Sequence, residues 1–178
     1  LEEFLAGPEF SVEGWVSHGE VVVAGITDKW TTDPFHLEYQ HIFPSRFSPA
    51  DKQEIQAKTA QVVKTLELDH CTFHLEGKLT PRGFRLVEIA ARIGGDYITS
   101  HLVSLSTGID FYAQVIRAAT GERPIAQPQW DLVTGVRFLL AHSEGSFAGL
   151  EGIEDMFSLT PIEHFFLEVA PQTRILLP

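Results

Sequence analysis

Cysteine and methionine are nearly absent from the 178 residues, with one of each; the cysteine is Cys71. A lone cysteine cannot close an internal disulfide, and no cysteine pair stands at zinc-ligand spacing. The cytoplasm, a reducing compartment, is the expected location. Positive charge is also scarce: 13 Lys and Arg stand against 24 Asp and Glu, a formal net charge of −11, and no basic stripe runs along the chain. Such a field repels a phosphate backbone, so nucleic acid is not an expected partner. No apolar run approaches the roughly 18 residues that cross a bilayer, and the N-terminus lacks the basic-then-apolar layout of a signal peptide. A membrane is therefore not an expected partner either. Repeats and low-complexity segments are missing as well.

What the chain does have is a core. Hydrophobic residues make up 44% and charged residues only 21%, which argues for packed structure over disorder. An acidic chain must hold an anionic substrate through local cations, a metal or helix N-termini. The first residue is Leu1, not methionine, and the last run, Arg174 to Pro178, is apolar and strand-like. Both ends read as cut from a longer polypeptide.

Phe10–Ser17 and Glu20–Thr27 read as a hairpin turning at His18-Gly19, and His36–Phe43 as a third strand. Ser48-Pro49 places an N-cap before a proline at the first helical position, and Ile55, Thr59, Val62, Val63 and Leu66 recur near helical spacing. Cys71–Leu79 and Phe84–Ala91 form a second expected hairpin around Thr80-Pro81-Arg82-Gly83. Helices are expected from Gly94-Gly95-Asp96 to about Leu105, with Asp96 as N-cap, and from about Asp110 to near Gly121. Farther on, Leu132–Ala141, Pro161–Val169 and Thr173–Leu177 look like strands, with a helical turn near Glu151–Phe157. Phe138, Phe147, Phe165 and Phe166 are read as core. The expectation is an α+β fold with a largely antiparallel sheet flanked by helices. Residues 1–121 would be the main portion and 122–178 a small β-rich appendage packed on it.

The second hairpin carries the chemistry. His74, Glu76 and Lys78 share a strand face, and Glu88 lies on the returning strand. Pairing about the turn makes positions 76 and 88 sum to 164, as do 80 and 84, which opposes Glu76 and Glu88 directly. Like charges across a strand pair are destabilising unless a cation lies between them, and Mg²⁺ is commonly held by one or two carboxylates with phosphates and waters. The alternative is that both acids face solvent, or pair with Lys78 and Arg92. Just beyond stand Arg92, Gly94 and Gly95, a forked cation followed by backbone that can approach an anion closely.

Three segments, Glu-Glu-Phe-Leu-x-Gly-x-Glu-x-Ser-Val-Glu at 2–13, His-x-Glu-x-Lys at 74–78 and Glu-Ile-Ala-Ala-Arg-x-Gly-Gly-Asp at 88–96, resemble the ATP-grasp superfamily in order and spacing. The pattern is most similar to the branch of dipeptide-forming L-amino acid ligases. The resemblance implies the C-terminal portion of an ATP-grasp fold and an ATP-dependent carboxylate–amine ligase that works through an acyl phosphate. Its cofactors would be ATP and Mg²⁺, with Mn²⁺ as a substitute, and its substrates a small-molecule carboxylate and amine. It also implies site roles. Glu76 and Glu88 would hold the metal, and Arg92 would stabilise the acyl phosphate and the tetrahedral intermediate. Glu2, Glu3, Phe4 and Leu5 would contact adenine, Glu9 the ribose, and Lys29 the phosphates. His41, His74, Gly94 and Gly95 would line the substrate side; for His41 a partly buried, hydrogen-bonded strand histidine is the competing reading. Many members carry asparagine two positions after the second metal acid, where this chain has Ala90, which puts a second metal in doubt. The resemblance admits a homodimer of the full-length form, and this piece alone is expected to be inactive. Two other readings are a non-catalytic nucleotide-binding domain, and an ATP-grasp carboxylase or purine-synthesis ligase.

Overall fold

Alternation of large apolar with small or polar residues governs the first strands. A computed structural model describes residues 3–159 and 161–177. In it β1 (Glu9–Ser17), β2 (Glu20–Thr31) and β3 (Glu38–Phe43) are followed by helix α1 (Pro49–Thr65), then β4 (Cys71–Thr80) and β5 (Gly83–Ala90). After a π-helical turn, Ile98–Val103, come α2 (Ser104–Thr107), α3 (Phe111–Ala119) and β6 (Thr134–Arg137). The strands make one antiparallel sheet in the order β5-β4-β1-β2-β3-β6. The α+β expectation holds.

Each face of the sheet has its own cover. Phe10, Val12 and Val16 of β1, with Ile26, Phe73, Leu75 and Phe84, point toward α1 and bury Ile55 and Val63. Burying side chains of this size contributes about 1.5–3 kcal/mol each. The Ser48 side chain accepts the Asp51 amide, and Pro49 occupies the first turn, so α1 starts where the sequence places it. On the opposite face Trp15 and Phe43 pack with Ile98, Leu102, Val103 and Phe111. Gly25 makes room for this packing: a Cβ there would lie 2.2 Å from the Phe43 ring. These helices cover only one end of that face. The remainder carries Glu9 and Ser11 of β1, Lys29 of β2 and Glu76 of β4, as the register shows.

Three expectations for residues 3–138 need correction. The strand expected from His36 begins at Glu38, because His36 adopts a left-handed backbone (φ 52°) in a turn where its amide bonds to the Thr32 carbonyl. Asp96 is not an N-cap: Asp96 and Tyr97 are both left-handed (φ 49° and 62°), and the π-helical turn starts after Tyr97. The boundary after residue 121 is also too early. The Gln129, Trp130 and Leu132 amides bond to carbonyls of Thr107 and Ser106, and β6 completes the sheet beside β3. The first compact unit therefore runs through Phe138, and Leu139–Pro178 is a second.

Strand content in the second unit is low. It contains β7 (Gly145–Ser146) paired with β8 (Arg174–Ile175), and helix α4 (Ile153–Leu159), which matches the expected turn near 151–157. Residues 161–169 pair with no strand, and the strand expected over 173–177 narrows to two residues. The apolar run Phe165-Phe166-Leu167 lacks the alternation that gives a strand one buried face, and Phe166 is half exposed. Phe138, Phe147 and Phe165 are half-buried, so none of the four phenylalanines is core.

Candidate functional site

The remainder of that face gathers charge from five strands, β1 to β5, and two bulges decide which side chains meet. From the two-residue turn at Pro81-Arg82, β4 and β5 pair with Thr80 opposite Gly83. In that register Glu76 would face Val87. A shift between Glu76 and Gly77 leaves Val87 unmatched and brings Glu88 opposite Glu76. The opposition expected from sequence is present, but the 80-to-84 pairing is not; the bulge supplies the missing residue. On β3 a second irregularity leaves Tyr39 unmatched, since Trp30 pairs with Gln40 and Thr31 with Glu38. Glu38 thereby faces the same side as Lys29 and His41.

A continuous polar network follows. The His74 Nδ1–H donates to Glu13 Oε1 (2.6 Å) and its Nε2–H to Glu76 Oε1 (3.1 Å). Lys29 Nζ donates to the same Glu76 oxygen (2.6 Å) and lies 2.5 Å from Glu38 Oε1. Glu13 is fully buried, and its other oxygen accepts from the Thr99 hydroxyl, which in turn accepts the Gly94 amide. This chain ties the Gly94-Gly95 loop to the floor of the site.

The electrostatics follow from these contacts. Burial of the His74 ring works to lower its pKa, but the hydrogen bonds to Glu13 and Glu76 prevail and raise it to about 9. Glu76 is driven down to about 2, first by the His74 hydrogen bond and then, against desolvation, by Lys29. Lys29 is raised: desolvation opposes its charge, but Glu38 and Glu76 outweigh it. Glu38 is raised, chiefly by burial and further by Asp96 and Glu76, against the lowering effect of Lys29. Burial lowers the pKa of His41, helped by Lys29 and opposed by Asp96.

Glu88 differs from its neighbours. It is exposed and has no hydrogen bond or ion pair with the described residues, although a carboxylate stands directly opposite. The alternative pairing with Lys78 and Arg92 does not occur: Lys78 binds Glu9 (2.8 Å), and Arg92 donates to the Ile93 carbonyl (2.8 Å). An exposed carboxylate opposed to Glu76, whose protein contacts both fall on Oε1, fits a hard divalent cation that takes oxygen ligands. Ala90, two residues on, pairs with His74 and offers no donor atom.

The other expected residues are spread more widely. Glu2 lies outside the described residues. Glu3 is exposed and ion-paired with Arg82, and Leu5 is half-buried. Phe4 is 75% exposed, with Lys78 Nζ 5.5 Å from its ring centroid. Glu9 sits at the end of β1, held by Lys78. Gly94 packs against His74 and Glu13, whereas a Cβ at Gly95 would meet nothing. His41 is fully buried, and neither ring nitrogen has a hydrogen-bond partner, which departs from the hydrogen-bonded histidine of the competing reading. Glu13, Glu38 and Thr99 escaped the sequence reading. The odd-numbered polar positions Glu9, Ser11 and Glu13 could have revealed Glu13; Glu38 depends on a bulge and Thr99 on a distant helical turn.

The comparisons bear on the family and the fold. Residues 1–100 match the model of the ATP-grasp domain. Carnosine synthase 1 of Gallus gallus is 32% identical over 127 residues, 70% of this chain and 13% of that protein. Dapdiamide A synthase of Enterobacter agglomerans is 32% identical over 98 residues, covering 53% of this chain and 22% of that one. Among solved structures, the L-amino acid ligase from Bacillus licheniformis superposes with a TM-score of 0.87 at 25% identity, over 98% of this chain and 46% of its own. The chain thus spans less than half the length of each relative. With the family model covering residues 1–100, more than half of the chain and the first five strands of its sheet, the chain belongs to the ATP-grasp family.

Proposed function

We propose that this chain supplies the metal and phosphate side of the active site in an ATP-dependent carboxylate–amine ligase acting on amino-acid-type substrates. One observation carries the reading: Glu88, exposed and without a partner among the described residues, stands opposite an ionised Glu76. Lys29 and His74 offset the charge of Glu76, so it is the opposed charge of Glu88 that a cation shared by the pair would compensate. Mg²⁺ would be held by Glu76 and Glu88, and when bound with ATP it supplies neutralisation of phosphate charge. A single metal fits best, because Ala90 brings no ligand and its cross-strand neighbour His74 is positively charged.

The remaining residues orient and balance charge. Lys29 and His74 hold Glu76 ionised and fix its Oε1, leaving the carboxylate pre-set before any ligand arrives. Arg92, exposed two residues past β5, would stabilise negative charge developing on the transferred phosphoryl group and on the acyl phosphate formed from the substrate carboxylate. Attack by an amine then releases phosphate and forms the amide bond. The backbone at Phe4 and Leu5, with Glu9, would line the nucleoside end, and Gly94-Gly95 the substrate end. The relatives named carnosine synthase, dapdiamide synthase and L-amino acid ligase support the amino-acid class of substrate. Turnover is proposed for the full-length protein and not for these 178 residues alone, since each relative is more than twice as long.

The test is Glu88→Gln in the full-length protein, assayed for amino-acid-dependent phosphate release from ATP. The side chain is exposed, so folding should be preserved, while activity should fall by at least ~10–100-fold, the range seen when even supporting partners of a metal are lost. Unchanged phosphate release would contradict the proposal.

A further inference from the structure

A row of shared hydrogen bonds runs beneath the site, from the glycine loop to the Glu76 carboxylate of β4. The Gly94 amide donates to Thr99 Oγ1 (3.0 Å), and the Thr99 hydroxyl donates to Glu13 Oε2 (3.2 Å). His74 donates from Nδ1 to Glu13 Oε1 (2.6 Å) and from Nε2 to Glu76 Oε1 (3.1 Å). Glu13 and Thr99 are both 0% exposed, and each bonds on two sides. In such a buried chain the loss of one member leaves its neighbours unpaired, so the bonds stand or fall together. Anchoring does not account for it. The π-helical turn that carries Thr99 is already fastened by Ile98, Leu102 and Val103, which pack with Trp15, Phe43 and Phe111. A buried carboxylate–imidazole pair is also seldom a net gain over apolar side chains of similar volume. What the row adds is direction: it fixes the loop amide and one Glu76 oxygen with respect to each other.

We propose that Glu13 and Thr99 are positioning residues which couple the Gly94-Gly95 loop to Glu76, so that an amino-acid substrate at the loop and Mg-ATP at the acid pair each tighten the other's binding. The inference rests on the function proposed above, which assigns substrate to the loop and metal to Glu76 and Glu88. Glu13 and Thr99 act without touching a ligand, since both are shut off from solvent. The coupling is positive in sign: whichever ligand binds first restricts the shared bonds, and the second meets a network already ordered. By linkage the factor is the same in both directions. Gly94 leaves the loop little slack, because a Cβ there would lie 2.7 Å from His74 Nδ1, whereas Gly95 has open space where a ligand can approach. Thr99 is the narrowest link, a single hydroxyl that accepts from the loop and donates to Glu13.

The test compares the affinity of the full-length protein for Mn²⁺ with a non-hydrolysable ATP analogue, by electron paramagnetic resonance, with and without a mixture of the proteinogenic L-amino acids. The parent should bind at least ~5-fold more tightly with the amino acids present, the lower end of coupling between two sites. Thr99→Val keeps the shape, removes the hydroxyl and should abolish that gain; Thr99→Ser keeps the hydroxyl and should retain the gain. Thr99→Ala decides in the same way if Thr99→Val does not fold. A merely structural role would lower the thermal midpoint and leave the ratio of the two affinities where it was. The inference is overturned if the parent binds Mn²⁺ and nucleotide but gains nothing from amino acids, or if the gain survives loss of the hydroxyl. Binding that is absent from the parent, or equal in Glu88→Gln, overturns the proposed metal pair itself, and this coupling with it.

Discussion

His74 shows how a single side chain sets the state of the site. Its ring is buried between Glu13 and Glu76, and both nitrogens donate, so the imidazolium form is the one the fold selects. The sign of the resulting pH dependence follows from its raised pKa. Stabilisation from His74 is complete below the ordinary value of 6.5 and is lost as pH rises through about 9. Glu76, lowered to about 2, contributes stability that is complete above 4.5 and disappears only in strong acid. Between these limits the midpoint of thermal unfolding, measured in chelator, should be flat to about pH 6.5 and then decline toward pH 9. His74→Gln should remove most of that decline; an unchanged alkaline slope would show that the imidazolium does not contribute. His74 and Glu76 were legible in the sequence because they alternate on one strand. Glu13, 61 residues away from His74, was not, because its partner is fixed by strand order and not by local spacing.

At the level of elements, the hairpin and the glycine loop carry different kinds of information. The hairpin was legible from its turn residues, and the opposition of Glu76 to Glu88 was inferred from a register that the turn itself does not have. The inference succeeded because a bulge at Val87 offsets the error by one residue. Bulges leave no sharp sequence mark, which is also why Glu38 was missed although His41, three positions on, was singled out. The loop after β5 was read as a helix start; it is instead two left-handed residues followed by a π-helical turn. Tertiary packing explains its position. A Cβ on Gly94 would approach His74 Nδ1 to 2.7 Å and the Glu13 oxygens to 2.9 and 3.0 Å. Gly94→Ala should therefore cost about 1–3 kcal/mol, as overpacked sites do, and should also lower the alkaline midpoint tied to His74. Chemical denaturation checks the first and a pH series the second. A neutral effect on both would mean that the loop is not clamped against β4. Gly95 has open space around it and carries no comparable constraint.

For the whole molecule, α+β class, sheet character and most element positions of the first unit could be read from alternation, capping and turn chemistry. The second unit could not, because its apolar runs lack a period and its strands amount to two residues each. The acidity of the chain, net −11, repels anions at long range. On the proposed function, recognition of a nucleotide would fall to Lys29, Arg92, His74 and a bound cation, which makes metal loading at Glu76 and Glu88 the point on which the proposal turns. The most direct measurement is electron paramagnetic resonance of Mn²⁺ titrated into the full-length protein with and without ATP, for the parent and for Glu88→Gln. The account predicts one nucleotide-dependent Mn²⁺ in the parent and a weakening of at least ~10–100-fold in the variant. Equal Mn²⁺ binding by both proteins in the presence of ATP would contradict it.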